Sequence, residues 1–139
     1  MKRIVGKHLF GTLTDCKNSI LSSIDTLRDF LYNFHEKINM RRIEFDDNSN
    51  PLIKECDGGN TLNGEGISGI VLLHTSHFSI HTWPNYNEVD LDIFSCDDFN
   101  HEDVVKYLEN FFQGSVLDLT VLTRGREYSI VKSGLENRT

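Results

Sequence analysis

Residues 66–96 read Gly66-Ile67-Ser68-Gly69-Ile70-Val71-Leu72-Leu73-His74-Thr75-Ser76-His77-Phe78-Ser79-Ile80-His81-Thr82-Trp83-Pro84-Asn85-Tyr86-Asn87-Glu88-Val89-Asp90-Leu91-Asp92-Ile93-Phe94-Ser95-Cys96. Three runs of strand length follow one another here. Ile67 to Leu73 is apolar and ends at a polar cluster, and Phe78 to Trp83 is stopped by Pro84. Val89 to Ser95 sets Val89, Leu91 and Ile93 against Asp90, Asp92 and Phe94, a period of two that marks a strand with one wet face.

Outward from this block the period changes. Between Lys17 and Met40 the apolar positions Ile20, Ile24, Leu27, Leu31, Phe34 and Ile38 step by four and three, which predicts one helix with a single buried face. Asp15, Asn18 and Ser19 offer cap oxygens for its first turn. On the far side, Asn100 reads as an N-cap, and Glu102 and Asp103 sit where the helix dipole favours anions. Val104, Tyr107, Leu108 and Phe111 form the stripe of this second helix, and Gly114 reads as its stop.

Residues 4–14 and 116–123 predict outer strands, and 41–46 and 51–56 two short ones. Residues 57–66 carry four glycines and predict a loop, and the polar end from Arg124 reads as partly loose. The chain of 139 residues suits one domain, 1–139. The expected fold is α+β: a two-layer α/β sandwich, an antiparallel sheet with helices on one face.

Composition narrows the function. With 14 basic and 21 acidic residues the net charge is −7, which argues against a nucleic-acid partner and favours a cationic ligand. Three cysteines, Cys16, Cys56 and Cys96, have no matched spacing, which suits a reducing cytoplasm better than a disulfide framework. The basic N-terminus lacks an apolar core of signal length, and no run approaches the ~20 residues that span a bilayer. A soluble cytoplasmic protein without membrane contact is expected.

The chemistry concentrates in residues 73–84, where three of the six histidines fall. His74, His77 and His81, with Cys96, are candidate zinc ligands, but His77 and His81 share a strand face while His74 points away. Ser76 beside these histidines is a candidate activated hydroxyl, with His81 the better placed partner. Polar side chains on the wet face of a hairpin also occur with no role beyond hydrogen bonding.

The same stretch closely resembles the core of the small prokaryotic S-adenosylmethionine decarboxylases. Gly66-Ile67-Ser68-Gly69, Ser76-His77, Ile80-His81-Thr82-Trp83-Pro84 and Asp92-Ile93-Phe94-Ser95-Cys96 follow the family's motifs in order. Gly6-Lys7-His8-Leu9, Asp15-Cys16 and Arg124-Gly125-Arg126 match its opening and closing elements, so the likeness covers nearly the whole chain.

The resemblance implies a chain that makes its own cofactor. Ser76 Oγ attacks the Thr75 carbonyl, the ester eliminates, and hydrolysis leaves a pyruvoyl group at the new N-terminus. A β chain of residues 1–75 and an α chain of residues 76–139 result. His81 then takes the processing acid/base role, Ser68 assists processing, and Cys96 is the proton donor after decarboxylation. The pyruvoyl group would hold the substrate amine as a Schiff base, with no metal. The implied partners are a small cationic substrate, bound near Trp83 and Asn85, and a second copy of the chain in a homodimer.

Two positions depart from the family pattern. Thr75 and Asn85 stand where the family has Glu. The attacked group is a backbone carbonyl, so Thr75 is compatible with cleavage, although a β-branched residue alters the loop. Asn85 removes a charge and brings arginine or ornithine in as rival substrates. An uncleaved, non-enzymatic homologue acting as a binding or regulatory partner is the remaining alternative.

Overall fold

Alternation along the central strands sorts the sheet into a buried face and a bare one. The computed structural model describes residues 4–59, 64–125 and 129–133. Its strands are β1 (Ile4–Thr14), β2 (Leu52–Cys56), β3 (Gly66–Leu73), β4 (Ser76–Trp83), β5 (Glu88–Ser95), β6 (Ser115–Gly125) and β7 (Ser129–Ser133). They form one sheet in the order β2-β3-β4-β5-β1-β6-β7. Every neighbouring pair is antiparallel.

Helices α1 (Asn18–Leu21), α2 (Ile24–Asn33) and α3 (His101–Phe112) complete the described elements, with 3₁₀ turns at Phe34–Ile38 and Pro84–Tyr86. Leu27, Phe30 and Leu31 of α2 and Val104, Leu108 and Phe112 of α3 are buried together with Val71, Phe78, Ile80, Leu91 and Ile93 of the sheet. Aromatic rings knit the core, centroid to centroid: Phe34 lies 4.1 Å from Phe78 of the sheet, and Phe30 of α2 lies 4.0 Å from Phe111 of α3. Each such burial contributes about 1.5–3 kcal/mol, which is what fixes the register of a period-two strand. His77, Ser79, His81, Asp90 and Asp92 alternate with these buried residues and therefore share the other face. The expected two-layer α+β sandwich is the observed architecture.

Five local expectations change. The helix foreseen over Lys17–Met40 is broken at Ser22-Ser23, because the Ser23 hydroxyl caps α2 by accepting from Thr26 N–H. Asp15, Asn18 and Ser19 cap nothing there; Lys17 is the N-cap of α1 and makes no side-chain bond to it. Residues 41–46 give no strand, only a single bridge from Arg42 to Leu73. The left-handed residue closing α3 is Gln113, at φ 54°. Gly114 serves a different end, since a Cβ there would lie 2.7 Å from both Cys16 Sγ and the Thr14 carbonyl. Beyond Arg124, residues 129–133 pair with β6 as β7, so that part of the end is ordered strand.

Candidate active site at the β3–β4 hairpin

Leu73 pairs with Ser76, so His74 and Thr75 alone turn the chain between β3 and β4. Thr75 sits at φ 59°. A β-branched side chain rarely tolerates that left-handed region, where the second central turn residue is commonly Gly or Asn. Strain of about 1–3 kcal/mol is therefore held at the Thr75–Ser76 junction.

Surrounding backbone over-determines the turn. His74 N–H donates to the Arg41 carbonyl at 2.9 Å, and Ile43 N–H to the Leu72 carbonyl at 3.0 Å. Asn50, only 5% exposed, grips both strands. Its Nδ2 donates to the Ile43 and Leu72 carbonyls at 2.6 and 2.8 Å, and its Oδ1 accepts from Leu72 N–H at 2.9 Å.

Ser76 is buried at the head of β4, and its Oγ accepts from the Cys96 N–H at 3.0 Å. The exposed Cys96 follows directly on β5 and places its sulfur 2.7 Å from Thr75 Oγ1. That hydroxyl is also 2.6 Å from the His74 carbonyl, so one proton faces two acceptors. Beyond Cys96 the chain is pinned by Lys7, whose Nζ donates to the Phe99 carbonyl at 2.7 Å and pairs with Asp98 at 3.0 Å. Thr75, Ser76 and Cys96 are thus brought together by one chain.

Ser68 and His81 are placed elsewhere. They pair across β3 and β4, with Ser68 Oγ 2.8 Å from His81 Nδ1. Five residues separate His81 from Ser76 on β4, a rise of about 16 Å, and the odd step puts them on opposite faces. Trp83 lies at that same far end, its indole N–H donating to Asp90 Oδ2 at 2.9 Å, and Asn85 is exposed in the turn beyond. Ser68, His81 and Trp83 line a cleft of about 170 Å³ with Gly58, Gly59 and Gly64.

Two features escape a reading of the sequence. Cys56 Sγ reaches to 3.7 Å from Ser68 Oγ. Asp92 accepts from His8 Nε2 at 2.9 Å and lies 3.5 Å from His77 Nε2. The His8 hydrogen bond, together with the nearby imidazole charges, holds the Asp92 carboxyl below the usual carboxylate range. Both contacts join residues distant in the chain, which no local pattern signals. His77 and His81 share the bare face while His74 sits in the turn. Among the described residues no group of three or more His, Cys, Asp or Glu could hold a metal ion.

An antiparallel α+β sandwich thus brings a strained hairpin, a buried serine and a nearby thiol to one strand end, an arrangement that makes this end a candidate active site. The profile of the S-adenosylmethionine decarboxylase family matches residues 7–125, and the chain belongs to that family. An S-adenosylmethionine decarboxylase proenzyme of Archaeoglobus fulgidus is 33% identical over 95 residues, covering 68% of this chain and 74% of that one. A proenzyme of the same description from Thermoanaerobacter sp. is 25% identical over 124 residues, with 87% and 89% covered. The crystal structure of the adenosylmethionine decarboxylase from Aquifex aeolicus superposes with a TM-score of 0.63 at 19% identity, covering 95% of this chain and 98% of that one. That last likeness concerns the fold.

Proposed function

We infer that this chain is a self-processing S-adenosylmethionine decarboxylase of polyamine biosynthesis whose cofactor is a pyruvoyl group made from Ser76. The observation that carries the reading is Thr75 at φ 59° immediately before a buried serine that faces Cys96. Attack of Ser76 Oγ on the Thr75 carbonyl replaces the strained amide with an ester, elimination releases the Thr75 carboxylate and leaves a dehydroalanine, and its imine form takes up water and loses ammonia to give the pyruvoyl carbonyl. Cleavage divides residues 1–75 from residues 76–139. The residues present fit a pyruvoyl group, since position 76 is only 7% exposed and has the Cys96 N–H as a donor. Such a group supplies a carbonyl that accepts the electrons freed as carbon dioxide leaves.

The chain's own residues do the remaining work. Cys96 stands as proton donor to the substrate carbon, and the Thr75 hydroxyl orients its thiol. His81 and Ser68, the processing pair, lie about 16 Å along the strand from Ser76 of the same chain. A homodimer in which each chain lends this pair, with Trp83 and Asn85, to the other's hairpin reconciles their roles with their placement. Among the described residues no helix is long and apolar enough to cross a membrane. Three free cysteines suit a reducing cytoplasm.

Denaturing mass spectrometry tests the cleavage: two fragments divided at Thr75–Ser76 are expected, and one intact mass in active protein overturns the reading. Ser76→Ala should stay folded, uncut and inactive. Asn85, an amide at the substrate end of β4, favours arginine or ornithine as the second reading. Carboxyl-labelled substrates decide, because only the true one releases labelled carbon dioxide.

A further inference from the structure

Beside the hairpin, on the side away from Cys96, His35, Arg41, Arg42, Glu44 and His74 surround a cavity of about 480 Å³. Two guanidiniums and two imidazoles meet one carboxylate there, on a protein whose net charge is −7. Arg42 is the fixed member. Its guanidinium lies 3.7 Å over the Tyr32 ring, and its side chain is 12% exposed. Its Nε is buried and has no hydrogen-bond partner among the described residues. Glu44 approaches Arg42 only to 3.7 Å, with a side chain 82% exposed to water.

The end of the Arg42 fork has only the distant, exposed Glu44 as an anionic neighbour, and an oxyanion is the ligand whose geometry matches that fork. Stacking on Tyr32 fixes the plane of the fork in advance, so little side-chain freedom is lost on binding. The geometry points to a binding site for a phosphate group, held by Arg42 with Arg41 and the two histidines around it. The site adjoins the hairpin, since the Arg41 carbonyl accepts from His74 N–H at 2.9 Å, one residue before Thr75. Binding here needs neither cleavage nor decarboxylation and stands apart from both.

Titration calorimetry of inorganic phosphate into the full chain, without substrate, tests the site. Saturable binding is expected, since an acidic surface gives no unspecific attraction for phosphate. Arg42→Gln should weaken it by about tenfold or more, the scale of one charge-assisted contact. Glu44→Gln, which removes the only competing carboxylate of the lining, should strengthen it, and Arg28→Gln, on the outer surface of α2, should leave it unchanged. Should Arg42→Gln fail to fold, Arg41→Gln and Glu44→Gln carry the test. No saturable heat, full binding in Arg42→Gln, or no gain in Glu44→Gln overturns the assignment. A second series with AMP separates the sources: tighter binding than phosphate assigns a nucleotide's phosphate, and equal or weaker binding the free anion.

Discussion

Thr75 combines a conformational cost with a chemical contact, and the two can be pulled apart. Glycine accepts φ 59° freely, so Thr75→Gly should raise the stability of the uncut chain by about 1 kcal/mol and slow its self-cleavage. Urea melts of the Ser76→Ala form with and without Thr75→Gly, and a time course of fragment appearance, check both halves. Cleavage as fast as in the parent chain would mean that strain at this residue drives nothing. The three cysteines separate in the same way. Burial, with help from Asp15 and Glu88, pushes the Cys16 thiol up to about 11, whereas Cys56 and Cys96 are exposed. Iodoacetamide at neutral pH should label the latter two and reach Cys16 only after unfolding.

Elements were legible where period and capping agreed. Asn100, foreseen as a cap, accepts from Asp103 N–H at 3.0 Å, and the alternation of β5 came out residue for residue. The long helix failed because an apolar stripe of unbroken period cannot register that Ser23 prefers capping to continuing. Residues 41–46 failed for a different reason. Their hydrogen bonds go to Asn50 and the end of β3, partners set by tertiary position, which a local strand pattern does not encode. Asn50→Ala would leave the Ile43 carbonyl and the Leu72 N–H without the Asn50 partner and take one of two donors from the Leu72 carbonyl, near the hairpin. A loss of roughly 2–4 kcal/mol is expected in denaturant melts, with slower cleavage because the turn is no longer gripped.

For the whole molecule, the helices cover one face of the sheet, and the other carries paired polar groups, with Asp92 between His8 and His77. Asp92 titrates below the ordinary carboxylate value, so its contribution to stability is present above about pH 4 and lost as pH falls through the lowered pKa. Asp92→Asn should therefore flatten the acid limb of a Tm-against-pH curve and leave the limb above neutrality unchanged. The arrangement of the site itself was half legible. The motif marked Ser76 and Cys96, but the expectation that His81 is the better placed partner of Ser76 within one chain failed, because five steps along β4 put the two on opposite faces about 16 Å apart. If the two residues act together, what no single chain can state is whether His81 serves the Ser76 of its own molecule or that of a second copy.

That question has a direct answer in mixed assemblies. A chain with Ser76→Ala keeps His81 and Ser68 but has no hydroxyl to cleave with, and a chain with His81→Ala keeps the hydroxyl but loses the imidazole. If each protomer lends its processing pair to the other, a co-expressed heterodimer contains one complete site: Ser76 from the second chain, His81 from the first. Cleavage confined to the His81→Ala chain, together with part of the wild-type carbon dioxide release, is then expected, although either variant alone gives neither. Differential tags and mass spectrometry identify the cut chain. If purified heterodimers stay uncut, His81 acts within its own chain, and the hairpin must then move by a distance comparable to the length of β4 to reach it.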